Sequence, residues 1–525
     1  MSLFVFKNEF TWGNAVSENT VDEFHKKFEK AVEQLRNNLN EDYPLIIDGK
    51  EIFLDKKFEV TSPSDTRITI ARFSEAAVSD AVSAIEAAKR SFSEWSKFSY
   101  KTRSKIFKEC ADLFSEKKYA LSAILSLENG KNRIEAMGDV DEAIDFMRFY
   151  AYQLEINEGF SKQTEHPDLK EKTRTVLKPY GVWGIIAPFN FPSAIAIGMT
   201  TGALITGNTA ILKPSSDSPL SSFKFVQAIY QKLPAGAINF VTGPGRIIGK
   251  AIIESPLVDG IAFTGSYNVG MSGFKKFTEK TTKPYISEMG GKNPVIVTKS
   301  ADLEKATEGV MRASFGYGGQ KCSACSRVYV HKEIAEKFTQ KLAEKTRSLK
   351  IGLPWKKEVF LGPVINENAQ KKFDSVIKQA KEDGQIITGG SIQKGAEYEH
   401  GYYVQPTILT KLPRNHKLMK EELFLPILCI DEYENFDEAI KLANDTNYGL
   451  TAGIFSEDKN QIEEFFDKIE AGVIYANRAA SATTAALVRS QPFGGWKDSG
   501  ISGKSAGGEN YLQQFMRAQT QTRCE

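Results

Sequence analysis

Three residues of this chain carry groups that together can perform covalent carbonyl chemistry. Cys322 lies in a glycine-rich run at 315–327, Glu288 begins the motif Glu-Met-Gly-Gly-Lys-Asn-Pro, and Asn190 lies between two phenylalanines just before Pro192. A thiol can act as a nucleophile, a carboxylate can activate that thiol or a water, and an amide N–H can stabilise an oxyanion. Each residue also has an ordinary structural interpretation, so the elements that position them decide between the two.

Short apolar strands alternate with helices from residue 181 to residue 291, and a second series of the same kind begins near Lys292. This alternation predicts an α/β fold with two doubly wound, Rossmann-like parallel sheets. Further helices are predicted at about 102–114 and 140–154, and Pro192 is expected to be the first residue of the helix after Asn190. Residues 161–178 are polar and charged and end in a strand-like stretch, which predicts a hairpin or arm outside the main core.

Several polar groups follow directly after predicted strands. Asn190, Lys213 and Glu288 each lie at a strand end, and such ends meet at one edge of a parallel sheet. Two glycine turns, containing Gly245 and Gly265 with Ser266, join a strand to a helix in consecutive units. Phosphates bind at helix N-termini of this kind, so we expect a dinucleotide site there; tight turns and a solvated lysine are the alternative.

The composition excludes several classes of protein. The chain has 525 residues and a net charge of +2 with interspersed signs, so we expect no nucleic-acid partner. Residues 181–212 carry no charge, but Pro188 and Pro192 interrupt them, which favours a buried strand, turn and helix over a membrane span. The N-terminus resembles no secretory signal, and five scattered cysteines fit a reducing compartment, so we expect a cytoplasmic protein without a metal site.

Six motifs occur in an order that resembles the aldehyde dehydrogenase superfamily, from about residue 45 to the C-terminus. They are Pro-Phe-Asn-Phe-Pro at 188–192, Leu-Lys-Pro at 212–214, Phe-Thr-Gly-Ser at 263–266, Glu-Met-Gly-Gly-Lys at 288–292, Gly-Gln-Lys-Cys at 319–322 and Pro-Phe-Gly-Gly at 492–495. The resemblance implies an NAD(P)-binding domain at 1–155 and 180–290, a catalytic domain at 291–492, and an oligomerisation arm at 156–179 and 506–525. It also implies a homodimer or a dimer-based homo-oligomer.

The resemblance assigns a role to each site residue. Cys322 would attack an aldehyde, Asn190 would hold the oxyanion, and Glu288 would activate water to hydrolyse the resulting thioester. The residues implied for cofactor binding are Lys213, Ser216, Gly245, Gly265, Ser266, Glu422 and Phe424. We expect NAD as the cofactor, with NADP possible, because Ser216 stands where relatives selective for NAD carry an acid.

The substrate is implied by finer features of the sequence. The run at 322–327, the segment at 142–146, the N-terminal extension and residues 504–508 resemble the branch of the family that oxidises L-glutamate γ-semialdehyde. The residues implied for substrate binding are Ser323, Ala485, Ala486, Phe493 and Glu142. Two departures are Ala485, at a position expected to be glycine, and Leu425, which replaces another glycine and adds bulk near the nicotinamide site. Another semialdehyde or small aldehyde, acyl transfer to coenzyme A, and a non-enzymatic binding protein are the alternatives.

Overall fold

A computed structural model describes residues 6–165, 170–479 and 487–524, and it has the α/β fold predicted from the sequence. The α-helices are α1 (Thr11–Ser17), α2 (Val21–Arg36), α3 (Val78–Trp95), α4 (Tyr100–Asn129), α5 (Arg133–Ile156), α6 (Ala194–Ile205), α7 (Leu220–Ile229), α8 (Lys250–Glu254), α9 (Tyr267–Thr278), α10 (Leu303–Phe315), α11 (Lys332–Arg347), α12 (Glu367–Asp383), α13 (Lys417–Lys420), α14 (Phe436–Asn444) and α15 (Lys459–Lys468). The strands are β1 (Glu41–Tyr43), β2 (Leu45–Ile47), β3 (Lys50–Ile52), β4 (Lys57–Ser62), β5 (Asp65–Ser74), β6 (Ser161–Thr164), β7 (Glu171–Pro179), β8 (Val182–Ile186), β9 (Thr209–Lys213), β10 (Ile238–Phe240), β11 (Gly260–Thr264), β12 (Tyr285–Glu288), β13 (Asn293–Val297), β14 (Cys325–His331), β15 (Gln385–Thr388), β16 (Thr407–Thr410), β17 (Ile427–Tyr433), β18 (Tyr448–Gly449), β19 (Thr451–Phe455), β20 (Val473–Ala476), β21 (Trp496–Lys497) and β22 (Met516–Cys524).

The first large sheet has the strand order β12-β11-β8-β9-β10-β2-β3. The five strands from β12 to β10 are parallel, and β2 and β3 extend the sheet in antiparallel fashion. Alternate residues of one strand enter different apolar clusters: Val182 packs on one face, and Trp183 and Ile185 pack on the other. Both faces are therefore covered by helices, as a doubly wound sheet requires.

The second large sheet has the order β15-β16-β17-β14-β13-β19-β20 and is parallel except for β15. Its two faces are also both apolar, with Ile296 in one cluster and Val295 and Val297 in the other. The sheet begins at Asn293, only a few residues after the first sheet ends at Glu288. This short connection brings the carboxyl end of β12 close to the second sheet. The exact domain boundaries stay a prediction.

The predicted arm is an antiparallel sheet of order β22-β7-β6, in which β22 pairs with β7 from Met516↔Pro179 to Cys524↔Glu171. The sequence prediction contained only the middle of β7. It also missed a further sheet of order β1-β5-β4 in the N-terminal part. These strands are short or mixed in burial, so they lack the apolar runs by which the strands of the large sheets were recognised.

Helix boundaries differ from the sequence prediction around α4 and α5. The pattern predicted helices at about 102–114 and 140–154, whereas α4 continues to Asn129 and α5 begins at Arg133. The start of α5 was missed because several of its buried residues are polar. Contacts with other side chains hold them in the interior, so no apolar pattern marks this part of the helix in the sequence. Asn132 caps the helix by accepting hydrogen bonds from the N–H groups of Ile134 (3.1 Å) and Glu135 (3.0 Å).

The uncharged segment 181–212 forms β8, a turn, the buried helix α6 and β9, as the prolines indicated. Pro192 was expected to open the helix, but α6 begins two residues later at Ala194. Among the described residues, the helices include none with the length and apolar character needed to cross a membrane.

Candidate active site

Cys322 lies in the loop that leaves the C-terminal end of α10 and leads into β14. After α10 the chain forms a short irregular turn, in which Tyr317, Gly318 and Gly319 all have positive φ values of 49°, 63° and 65°. A Cβ on Gly319 would lie 2.3 Å from the carbonyl oxygen of Leu425, so only glycine fits there. The glycines of the motif therefore shape the loop that presents the thiol.

Asn293 fixes the main chain of this loop, and the sequence analysis assigned it no role. Its Nδ2 donates to the carbonyl oxygens of Cys322 (2.7 Å) and Ala324 (2.9 Å), and its Oδ1 accepts from the N–H of Thr451 (3.0 Å). The sequence did contain a signal for a role of Asn293, because this polar residue precedes an apolar run and belongs to the recognised motif Glu-Met-Gly-Gly-Lys-Asn-Pro. Gly291 must also be small, since a Cβ there would lie 2.4 Å from the Cys322 carbonyl oxygen.

The structure brings Asn190 to the same loop. The Asn190 side chain is 3% exposed, and its Nδ2 donates to the carbonyl oxygen of Gln320 at 3.1 Å. The Gln320 side chain is buried as well: its Oε1 accepts from the N–H of Ile365 (2.8 Å), and its Nε2 donates to the carbonyl of Tyr317 (3.2 Å). Asn190, which is distant from Cys322 in sequence, thus contacts the loop that carries Cys322.

Glu288 ends β12, beside the same site. Its Oε2 accepts a hydrogen bond of 3.2 Å from the N–H of Gly495 in the C-terminal motif. Burial raises the pKa of Glu288 well above its usual range, and the Gly495 hydrogen bond offsets only part of this rise. Burial therefore shifts this carboxyl towards its protonated form.

The electrostatic surroundings of Cys322 also favour its neutral form. Burial raises the pKa of the thiol, and the nearby carboxylates of Glu422 and Glu288 raise it further, while main-chain N–H groups at Ser323 and Cys322 act in the opposite direction. Attack on an aldehyde requires the thiolate. The geometry thus supplies a nucleophile that becomes reactive once a proton is removed from it.

Lys213 and Ser216 lie at the carboxyl edge of the first sheet. The Lys213 Nζ donates to the carbonyl of Pro214 (2.7 Å), and burial lowers the pKa of this lysine to about 8 while Asp217 acts to raise it. The Ser216 Oγ donates to the carbonyl of Gly243 (3.2 Å). A Cβ on Gly245 would lie 3.9 Å from the Lys213 Nζ, an ordinary van der Waals contact, so this glycine lies directly beside the ammonium group.

Gly265 and Ser266 form the turn from β11 to α9. The Gly265 N–H donates to the Glu288 carbonyl (3.2 Å), and Ser266 is the N-cap of α9 with no hydrogen bond from its own side chain to the helix. The Ser266 hydroxyl therefore stays available to a ligand at a helix N-terminus. This serine lines a cleft of about 850 Å³ together with Tyr267, Glu422 and Tyr448.

Glu422 and Phe424 enter this region from the second sheet's side. The Glu422 Oε1 accepts from the N–H of Gly291 (3.0 Å), and burial raises the pKa of Glu422 to about 7. Phe424 has a positive φ of 59°, and its ring meets that of Phe189 edge to face at 5.8 Å. The Leu425 side chain packs in the apolar cluster of the second sheet.

The residues predicted to bind substrate are only partly brought together. Ser323 is 4% exposed beside Cys322, and Phe493 pairs with Ala506 through two main-chain hydrogen bonds. Glu142 lies half-buried on α5, and burial and the Asp139 carboxylate raise its pKa to about 8. Ala485 and Ala486 lie outside the described residues.

Within the described ranges, no group of three or more His, Cys, Asp or Glu side chains is placed to hold a metal ion. All five cysteines are free, and the Cys325 Sγ contacts the Arg327 carbonyl oxygen at 3.4 Å in the interior.

A thiol, an amide and a carboxylate thus meet where two doubly wound sheets adjoin, beside glycine turns suited to a dinucleotide. The model of the "Aldehyde dehydrogenase family" matches residues 53–521, and the chain belongs to this family. Two similar proteins, both named 1-pyrroline-5-carboxylate dehydrogenase, come from Geobacillus sp. (strain WCH70) and Bacillus mycoides (strain KBAB4). The first is 36% identical over 508 residues, covering 95% of this chain and 96% of that protein, and the second is 37% identical over 500 residues, covering 94% and 95%.

A solved structure is similar over the whole fold. It is the 1-pyrroline-5-carboxylate dehydrogenase from Thermus with bound NAD, which is 32% identical, has a TM-score of 0.93 and is matched over 100% of both chains.

Proposed function

We propose that this protein oxidises L-glutamate γ-semialdehyde, the open form of 1-pyrroline-5-carboxylate, to L-glutamate, with NAD as the electron acceptor. The observation that carries the proposal is the hydrogen bond of 3.1 Å from the Asn190 amide to the main chain beside Cys322, which pairs an oxyanion donor with a nucleophile. The names of the similar proteins support the choice of substrate.

The chemistry of this chain's residues follows from their positions. After the Cys322 thiol has lost its proton to solvent, its sulfur forms a bond to the aldehyde carbon, and the Asn190 amide and the Cys322 N–H stabilise the charge on the oxygen of the thiohemiacetal. NAD, when bound, supplies the acceptor for the hydride that leaves this carbon. The product is a thioester on Cys322; Glu288 then takes a proton from a water that attacks the thioester, which releases the carboxylic acid and the thiol.

The cofactor residues fit a dinucleotide. The Lys213 ammonium lies beside the glycine turn at Gly245 and suits a ribose or phosphate oxygen, and Ser216 would face the ribose. Gly265 and Ser266 offer a helix N-terminus to the pyrophosphate, and Glu422 and Phe424 would hold the nicotinamide end. Since Ser216 carries no charge that would repel a 2′-phosphate, use of NADP is part of the test below.

The residues proposed for substrate binding would give the pocket a polar and an aromatic side. The Ser323 hydroxyl and the main chain near Ala485 and Ala486 would bind the α-carboxylate, because hydroxyl and N–H donors suit a carboxylate. Phe493 would cover the aliphatic part, and the Glu142 carboxylate would meet the positive α-amino group.

Assembly and location belong to the same proposal. We infer a cytoplasmic homodimer or dimer-based oligomer in which the β6–β7–β22 sheet forms the arm, with a cofactor domain at 1–155 and 180–290 and a catalytic domain at 291–492. The exposed residues of β22 support this, because an unpaired sheet edge favours pairing with a second chain.

The test is the increase in NADH or NADPH absorbance with 1-pyrroline-5-carboxylate and with a panel of simple aldehydes, each with NAD and with NADP. The expected result is the highest kcat/KM with 1-pyrroline-5-carboxylate and NAD, no dependence on coenzyme A, and no turnover by Cys322→Ala. Higher values with simple aldehydes would discard the substrate, a requirement for coenzyme A would discard hydrolysis, and turnover by Cys322→Ala would discard the mechanism.

A further inference from the structure

Two acidic residues one helical turn apart on α5, Glu135 and Asp139, contact the two halves of the candidate site. Glu135 holds the nucleophile loop, which is the segment 316–324 between α10 and β14 that carries Cys322. Its Oε1 accepts from the Nζ of Lys321 at 2.9 Å, and its Oε2 accepts from the N–H of Tyr317 at 3.1 Å. Lys321 immediately precedes Cys322, so both hydrogen bonds tie the loop that presents the thiol to α5.

Asp139 holds the oxyanion turn, which is the segment 187–193 between β8 and α6 that carries Asn190. Its Oδ1 accepts from the N–H of Ala194 (2.7 Å) at the start of α6, and its Oδ2 accepts from the Nζ of Lys131 (2.8 Å). The same Lys131 Nζ lies 3.7 Å from the centre of the Phe191 ring, next to Asn190 in the chain. Asp139 therefore contacts the residues on the C-terminal side of the oxyanion donor both directly and through Lys131.

The Lys131–Asp139 ion pair is fully enclosed, with 1% and 0% of the two side chains exposed. A pair this deeply buried is costly unless the geometry satisfies both charges, and replacing one partner leaves the other charge unpaired. The Phe191 ring at 3.7 Å and the Tyr317 ring at 5.0 Å add cation–π contacts to Lys131. Since Tyr317 belongs to the nucleophile loop, Lys131 contacts both halves of the site.

The turn with Asn190 follows a strand of the first sheet, whereas Cys322 precedes a strand of the second sheet. Side chains at positions i and i+4 of a helix keep a nearly constant separation. We infer that Glu135 and Asp139 are positioning residues, and that α5 sets the distance between the Asn190 amide and the Cys322 thiol. This inference rests on the roles proposed above for Asn190 and Cys322.

The inference predicts different effects for the two residues. Asp139→Ala lowers kcat by about 10- to 100-fold, because a displaced oxyanion donor loses much of its effect. It leaves the alkylation rate of Cys322 by iodoacetamide unchanged, since the thiol loop keeps its contacts. Glu135→Ala lowers kcat to a similar degree and also changes the alkylation rate. Neither variant changes the KM for NAD.

Three further variants separate positioning from stability. Glu155→Ala is the matched control, because this residue lies on the same helix and forms a hydrogen-bonded ion pair with Lys108 near the surface (2.6 Å). It should leave kcat unchanged. Asp139→Asn keeps an oxygen that can accept from the Ala194 N–H, so its kcat lies closer to the wild-type value than that of Asp139→Ala. Combining Asp139→Asn with Lys131→Met removes the unpaired charge of Lys131 and raises the melting temperature above that of Asp139→Asn alone.

The melting temperature and the fraction of folded protein are measured for every variant, together with Cys322→Ala. A loss of kcat in folded Asp139→Ala or Asp139→Asn, with an unchanged alkylation rate, supports the inference. The inference is overturned if the folded Asp139 and Glu135 variants keep the wild-type kcat, or if their losses of kcat only follow the folded fraction. In that case an inactive Cys322→Ala leaves the proposed function standing. An active Cys322→Ala would reject the proposed function instead.

Discussion

The Asn190 side-chain amide donates to the main-chain carbonyl of Gln320, two residues before the proposed nucleophile Cys322, at 3.1 Å. This hydrogen bond holds the Asn190 amide against the loop that carries Cys322, where the proposed oxyanion would form. Preorganised donors of this kind act more strongly in a buried site than in water.

Replacing Asn190 by Ala should lower kcat by about 10² to 10³, which is the usual loss for one oxyanion donor. The KM for NAD should change little, because Asn190 contacts the nucleophile loop and not the glycine turns at Gly245 and Gly265. Steady-state kinetics with 1-pyrroline-5-carboxylate measure both values. An Asn190→Ala enzyme with wild-type kcat would show that other donors carry the oxyanion.

The reactivity of Cys322 should depend on the charge of Glu422. Because that carboxylate raises the pKa of the thiol, Glu422→Gln should lower the thiol pKa and speed alkylation by iodoacetamide. The pKa of Glu422 is itself raised to about 7, so the difference between variant and wild type should grow as the pH rises through about 7, where the wild-type carboxyl ionises.

The measurement is the alkylation rate against pH for wild type, Glu422→Gln and Glu421→Gln. Glu421 is exposed and lies next to Glu422 in the chain, so it serves as the neighbouring control. Identical pH profiles for wild type and Glu422→Gln would contradict the assigned electrostatic coupling.

Much of the fold and the site could be predicted from the sequence because the relevant signals are local. Apolar strands alternate with helices along both large sheets, and the motifs with Asn190, Glu288 and Cys322 each follow or precede such a strand. The hydrogen bonds between these motifs were beyond prediction, since no local pattern shows that Asn190 meets Gln320. The same holds for Asn293, whose amide joins two chain segments that are far apart in sequence.

The beginning of α5 shows a second limit. Residues such as Glu135 and Asp139 read as a polar surface in the sequence, yet they lie against the active-site loops because partners from other segments satisfy their charges. Apolar periodicity predicts which face of a helix enters a core, but it cannot detect a helix face that is buried through ion pairs.

Stability should fall with rising pH because of the buried carboxyl of Glu128. Burial raises its pKa to about 8, although the N–H groups of Leu220 (2.5 Å) and Ser221 (3.2 Å) donate to it. A group whose pKa is higher in the folded state binds more protons there, so its contribution to stability is lost as the pH rises towards about 8. The melting temperature of Glu128→Gln should therefore fall less between about pH 5 and about pH 8 than that of the wild type. Equal falls would show that Glu128 does not control this dependence.

Two neighbouring glycines of the nucleophile loop should respond differently to alanine. Gly318 and Gly319 have nearly the same φ values, 63° and 65°, so both substitutions carry the left-handed strain of about 1–2 kcal/mol. A Cβ on Gly318 would have its nearest contact at 3.5 Å, from the Gln320 side chain, whereas a Cβ on Gly319 would lie 2.3 Å from the Leu425 carbonyl oxygen.

Gly319→Ala must therefore move the loop or the Leu425 main chain, while Gly318→Ala need not. We expect Gly319→Ala to lose at least about 10-fold in kcat through displacement of Cys322, with Gly318→Ala retaining most of its activity at a slightly lower melting temperature. Kinetics and thermal unfolding of the two variants side by side provide the measurement. If both lose activity equally, backbone strain alone governs the loop, and the close contact between Gly319 and Leu425 has no separate effect on the position of the thiol.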